Sequence, residues 1–223
     1  MSLKRVFWRS NPERGGQRPP AHMKKIKRAY RRPDLYSDYD VSLSNKGISS
    51  TEISSTGTQT YTVPRGVDTL TITMYGAGGG GGAALGGRNG TDNGIGAGSG
   101  AKCVFVLNDI TKGTILSFDV GAGGAKSTGS NDGSDGGDTT LTYNGTTYTA
   151  GGGIAGVDAA QTCYGCGVGG TATNGDTNTS GNDKSAENGG ASLGDSAGAG
   201  GDGSTDHSSQ NNTDGGDGKV IIS

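Results

Sequence analysis

The chain has 223 residues, 47 of them glycine, and a formal net charge of −2, so glycine stands at about three times its ordinary share. Leu, Ile, Val and Phe together number 32, below roughly a fifth of the chain, the level at which disorder competes with folding, so one modest core is available. No run of about 18 apolar residues is present to cross a membrane. The start of the chain lacks the apolar stretch of a secretory signal, and three cysteines are too few and odd in number for a disulfide framework.

The near-neutral total conceals a split. Residues 1–32 hold 11 Lys and Arg against the single acid Glu13, leaving 8 basic and 20 acidic residues behind them. Such asymmetry points to two parts that face different partners. Pro12, Pro19, Pro20 and Pro33 deny residues 1–40 a long helix or strand, which predicts an extended basic arm. Its candidate anchoring residues are Lys4, Arg5, Phe7, Trp8, Arg9, Lys24, Lys25, Lys27, Arg28, Tyr30, Arg31 and Arg32, single aromatics set among cations. This pattern suits docking into grooves of another protein, or neutralising phosphates with counterion release on a nucleic acid. The region behind it offers no basic face or aromatic stacking platform, which favours protein. Residues 41–57, rich in Ser and Thr, read as a linker.

From 58 onward the pattern is that of an all-β domain running to residue 223. Leu70, Ile72 and Met74 alternate with Thr69, Thr71 and Thr73, the two-residue period of a half-buried strand. Ala101–Leu107 is a second strand, apolar on both faces. Leu116, Phe118 and Val120 alternate with Ser117 and Asp119 in a third. Thr139–Tyr143 and Thr146–Ala150 flank Asn144-Gly145, the signature of a type I′ hairpin. Lys219–Ser223 supplies a last strand that returns from afar. The expected fold is a small β-sandwich, jelly-roll-like, with long glycine-rich connections and a preceding extended arm.

Those connections are Gly76–Gly100, Gly121–Gly137 and Gly151–Gly218. Two states fit their composition. They are mobile loops, or they are polyproline-II-like polyglycine helices packed side by side so that neighbours satisfy one another's backbone groups. Spacings of three occur in Gly87-Arg88-Asn89-Gly90 and Gly133-Ser134-Asp135-Gly136, but the register breaks too often for collagen.

Several segments imitate chemistry. Gly76-Ala77-Gly78-Gly79-Gly80-Gly81 satisfies G-x-G-x-x-G, yet more glycine follows where a phosphate-binding helix must begin. Gly121–Thr128 resembles a phosphate loop with Ala125 in place of the glycine before Lys126. Cys163-Tyr164-Gly165-Cys166 could be half of a zinc site only with Cys103, His22 and His207, far apart in sequence; a local disulfide or two small packing residues is the simpler reading. Asp132, Asp135 and Asp138 offer oxygen ligands for calcium at intervals of three, and a solvated acidic loop accounts for them as well. No catalytic residues, metal ligands or cofactor are assigned, and no enzyme activity is expected.

The succession Tyr61–Val67, Leu70–Gly82, Gly113–Gly124, Gly136–Thr140, Ala150–Gly153 and Gly215–Ile222 resembles the glycine-rich domain of phage tail-fibre and related virion proteins. The resemblance implies a non-enzymatic domain, and the looser likeness to tail-fibre tip adhesins implies variable loops that bind a host surface. It leads us to expect a virion fibre, adhesin or surface-decoration protein. Its arm would insert among capsid, portal or tail proteins, while its domain faces outward toward a host glycan or protein, as a monomer or homo-oligomer. Candidate host-contact residues are Tyr164, Asn174, Asp176, Asn178, Asn182, Asp206, His207 and Asn211. Other readings are an internal or tail structural protein whose arm touches the genome, and an ice-binding protein.

Overall fold

The computed structural model describes residues 49–84, 93–129, 131–158, 166–194, 196–205 and 211–223. The candidate arm residues from Lys4 to Arg32, with His22, Tyr164, Cys163, Asp206 and His207, lie outside these. The described chain contains ten strands and no helix: β1 (Thr51–Ile53), β2 (Gly57–Thr62), β3 (Leu70–Tyr75), β4 (Lys102–Leu107), β5 (Ile115–Val120), β6 (Thr139–Tyr143), β7 (Thr146–Ala150), β8 (Ala172–Thr173), β9 (Thr177–Thr179) and β10 (Lys219–Ile222).

They form two antiparallel five-stranded sheets, ordered β1-β10-β3-β4-β9 and β2-β5-β6-β7-β8. Alternation decides which face of each strand is buried. Leu70, Ile72 and Met74 of β3 and Phe105 and Leu107 of β4 meet Leu116, Phe118 and Val120 of β5 and Leu141 of β6 in one core. Phe105 stacks on Tyr148 of β7 with ring centroids 3.8 Å apart, tying the sheets together. The expected sandwich is present, with a β5-β6-β7-β8 meander in place of the Greek-key crossings of a jelly roll. Asn144 and Gly145 both take positive φ, 49° and 79°, as a type I′ turn requires.

Folding begins earlier than the sequence suggested. β1 lies inside the segment read as a linker, pairing Thr51 with Ile222 and Ile53 with Val220. Ile53 packs on the core, and Lys219 of β10 reaches Glu52 at 3.1 Å. Three residues with one apolar side chain carry no periodicity, so this strand is set by its partner rather than announced by its own sequence.

Six of the ten strands join directly onto a glycine run. Run 76–84 follows β3, 121–128 follows β5 and 151–158 follows β7. Runs 93–101, 131–138 and 211–218 lead into β4, β6 and β10. Within a run no residue bonds to another; every bond is lateral, and partners recur every third residue. Gly76, Gly79 and Gly82 donate to Ala101, Gly98 and Ile95; Ala77 and Gly80 donate to Gly137 and Ser134; Gly78 and Gly81 donate to Gly216 and Thr213. In return the carbonyls of Ala77 and Gly80 accept from Gly153 and Gly156, those of Gly78 and Gly81 from Gly124 and Ser127, and those of Gly79 and Gly82 from Gly201 and Ser204. A partner repeat of three without internal bonds is the signature of the polyproline-II helix, three residues per turn. Run 76–84 is thus the axis of a hexagonal bundle, ringed by six runs of which three accept its amides and three donate to its carbonyls. Run 93–101 is a second axis beside it, completed by segments near 167–170, 181–184 and 187–190. The glycine connections are packed polyglycine helices.

Close approach explains the composition. A Cβ at Gly78 would lie 1.9 Å from the Ala199 carbonyl oxygen, and one at Gly80 2.0 Å from that of Ala125. Neither position has an unusual φ; what it lacks is room.

Candidate binding surface

The molecule is polar in the geometric sense. The Asn144-Gly145 turn and the end of β10 lie at the sandwich pole. The chain enters there through β1, beside its own last residue Ser223, which exchanges backbone bonds with Thr71 at 2.7 and 2.9 Å. At the opposite pole, run 76–84 leaves and 93–101 returns, 151–158 leaves and 166–170 returns, and 197–204 leaves and 211–218 returns. Runs of about eight residues at ~3.1 Å per residue set the far rim about 25 Å beyond the sheets. Ala84, Asn93, Asp158, Thr205 and Asn211 stand at that rim.

The rim is braced by side chains. Asn93 Nδ2 donates to Glu187 Oε1 at 3.0 Å, which holds that carboxyl below its usual range. Asn211 Oδ1 accepts from Thr205 N–H at 2.9 Å and Ser204 Oγ at 3.0 Å, while its Nδ2 donates to Thr205 Oγ1 at 3.0 Å. Asn212, buried, donates to the carbonyls of Gly81 at 3.1 Å and Ser127 at 3.0 Å, and the Ser127 hydroxyl donates to the Asn131 carbonyl. The bases of the loop segments are thus fixed by amide and hydroxyl groups rather than by apolar packing.

The flanks carry a ladder of aspartates. Asp138, Asp135 and Asp132 accept the backbone N–H groups of Gly152, Ala155 and Asp158 at 2.8, 2.7 and 3.0 Å. Asp217 and Asp214 do the same for Gly123 and Lys126 at 2.8 and 2.7 Å. Asp183 serves Gly169 at 2.9 Å and Asp202 serves Gly189 at 2.8 Å. An outer run lacks a neighbour on its solvent side, so every third amide would be left to water; a carboxylate from the adjacent run reaches across instead. The three-residue spacing that suggested calcium ligands therefore matches the helical repeat. Among the described residues no cluster of three His, Cys, Asp or Glu side chains could hold a metal ion.

The same accounting bears on the phosphate-loop imitations. In Gly76–Gly81 every amide already donates to a neighbouring run, and in 121–128 those of Gly123, Gly124, Lys126 and Ser127 are likewise taken. No convergent set of free N–H groups remains in either segment to cradle a phosphate.

The sequence-derived contact residues divide between the poles. Asn174 and Asp176 lie toward the sandwich, in the turn where the chain passes from one sheet to the other, and Asn178 lies in β9 just after it. Asn174 donates to the Thr147 carbonyl of β7 at 2.8 Å, Asp176 accepts from Val106 N–H of β4 at 2.9 Å, and Asn178 closes the turn on Gly175 at 2.9 and 3.0 Å. Asn182 opens the run after β9 and donates to the Ala191 carbonyl at 2.7 Å. Of the described candidates only Asn211 stands on the far rim. Asn93, Glu187 and Thr205 join it there; their single polar side chains at run ends give no sequence signal, because which run ends are neighbours depends on the bundle.

Cys166 is disulfide-bonded, and Lys184 Nζ lies 3.0 Å from its sulfur and 2.8 Å from its carbonyl oxygen. Cys103 is free and fully buried in β4, and burial pushes its thiol up to about 11, leaving it neutral and unreactive.

No curated protein matches the chain. A family model described as a glycine-rich domain matches residues 53–223, from the last residue of β1 through β10, and the chain belongs to the glycine-rich domain family.

Proposed function

We propose that this is a structural protein of a virus particle, of the phage type, whose residues 1–40 anchor it among capsid, portal or tail proteins while the glycine-rich domain is displayed for host-surface contact. The observation that carries the reading is the polarity of the domain. The described chain begins at the sandwich pole, where β1 pairs with the end of β10, and runs 76–84, 151–158 and 197–204 end at the opposite pole about 25 Å past the sheets. The bundle between the two poles is a spacer braced along its whole length by lateral backbone bonds, which suits a domain held at one end and displayed at the other.

The acidic flanks favour outward display over contact with packaged genome. Asp132, Asp135, Asp138, Asp183, Asp202, Asp214 and Asp217 line the bundle, and their charge opposes a phosphate backbone. The role is mechanical and adhesive rather than catalytic. Deleting residues 1–40 is expected to abolish incorporation into particles while circular dichroism shows the domain still folded. Normal incorporation of the truncated chain overturns the anchoring claim.

A further inference from the structure

Four strands bound the two sheets: β1 and β9, β2 and β8. An exposed edge pairs with other chains unless it is short, charged or broken by proline. β1 and β9 have three residues each and β8 has two, and β1 also carries Glu52. β2 has none of these protections. It runs for six residues, Gly57-Thr58-Gln59-Thr60-Tyr61-Thr62, without charge or proline.

Its free groups can be assigned. Val63 N–H donates to the Thr114 carbonyl at 2.9 Å, on the side of β5. Backbone polar groups alternate along an antiparallel strand, so Tyr61, Gln59 and Gly57 also face β5. Thr62, Thr60 and Thr58 therefore direct their N–H and C=O groups to the outer edge. All three are exposed, and among the described residues no strand pairs with them.

We propose that this edge pairs with β2 of a second copy of the chain, antiparallel, about a two-fold axis through Thr60. Pairing that keeps every side chain on its own face requires partners of the same parity. Thr60 then faces itself, Thr58 faces Thr62 of the partner subunit, and Gln59 faces Tyr61 of the partner subunit. The outer-face pairs are all threonine with threonine, able to share hydroxyl bonds as Thr142 and Thr147 do at 2.9 Å elsewhere in the same sheet. The absence of charge argues for a self-complementary occupant. The nearest charge in register, Asp119, lies one strand inside, opposite Thr58. The contact is small, below the roughly 1,000 Å² of a stable interface, so association is weak and concentration-dependent.

Sedimentation of the full chain at rising concentration tests this. A monomer–dimer equilibrium is expected. Thr60→Pro removes an outward amide without touching the bonds to β5 and is expected to weaken dimerisation about tenfold or more. Thr60→Lys and Thr60→Glu are each expected to be monomeric with unchanged circular dichroism, and an equimolar mixture of the two is expected to dimerise again, since position 60 meets itself. A monomer at every concentration, a trimer, a dimer indifferent to Thr60→Pro and Thr60→Lys, or a mixture that stays monomeric overturns the proposal.

Discussion

Replacing Gly80 by alanine tests whether the bundle is packed as described. The new Cβ would sit 2.0 Å from the Ala125 carbonyl oxygen and 2.4 Å from its carbon, both backbone atoms. Reaching the 3.4 Å at which ordinary contact begins requires run 121–128 to move outward by well over an ångström. That motion stretches Gly124 N–H to Gly78 and Ser127 N–H to Gly81, now 2.8 and 2.9 Å, past bonding distance. Two buried pairs left unmade cost about 2–6 kcal/mol, and alanine's stiffer unfolded chain returns only about 0.4–1 kcal/mol. The expected loss of about 1–5.6 kcal/mol, centred at about 3, is a large part of an ordinary domain's stability. Gly216→Ala is the control: it lies in the same bundle at an ordinary φ, but its Cβ would meet nothing closer than 3.1 Å, so it is expected to stay within about 1 kcal/mol of the parent. Urea unfolding followed by circular dichroism measures both. Hydrogen exchange at Gly124 and Ser127 detects a bundle that opens separately from the sandwich. If Gly80→Ala stays within about 1 kcal/mol with those amides still protected, or if Gly216→Ala costs as much, the close-approach argument is refuted.

Asp135→Ala is expected to cost about 1 kcal/mol and to speed exchange of the Ala155 amide, whereas Asp135→Asn keeps an acceptor oxygen and restores most of the protection. Equal exchange in the two variants would show that the ladder does not hold the outer run. Cys103 is expected to resist alkylation in the native protein and to react on unfolding. The unfolded thiol releases its proton near 9.0 and the folded one near 11, so the unfolded state binds fewer protons in this window. Stability therefore falls from pH 9 toward 11, and Cys103→Ala is expected to remove that part of the fall in parallel melts.

What was legible in the sequence follows from where each element's information resides. The β6–β7 hairpin matches its expected boundaries because Asn144-Gly145 fixes the turn locally and Leu141 fixes the buried face. β8 and β9, two and three residues of Ala and Thr with Asn, have no pattern of their own and exist because β7 and β4 present free edges. The aspartates at 132, 135 and 138 displayed the period of the helix they belong to, but their acceptor role was hidden because the amides they serve lie in a different run. The breaks in the glycine register have the same origin. An axial run such as 76–84 has neighbours on all sides and tolerates only glycine and alanine, while an outer run such as 131–138 needs a small residue only where it faces inward.

The bundle cannot be an independent folding unit. Ordering a residue costs about 1–2 kcal/mol of backbone entropy, with glycine at the expensive end, while a lateral hydrogen bond contributes about 0.5–1.5 kcal/mol net. With scarcely any apolar side chain to bury, the runs come close to balance at best. What tips them is that β3, β4, β5, β6, β7 and β10 deliver their ends already spaced and in register from a core built on Leu70, Ile72, Phe105, Phe118 and Val220. The sandwich supplies the hydrophobic free energy and the bundle converts it into reach. This division also restricts where change is tolerated. A side chain added to the interior of the bundle strikes backbone, as at Gly78 and Gly80, and one added to the core strikes packed side chains.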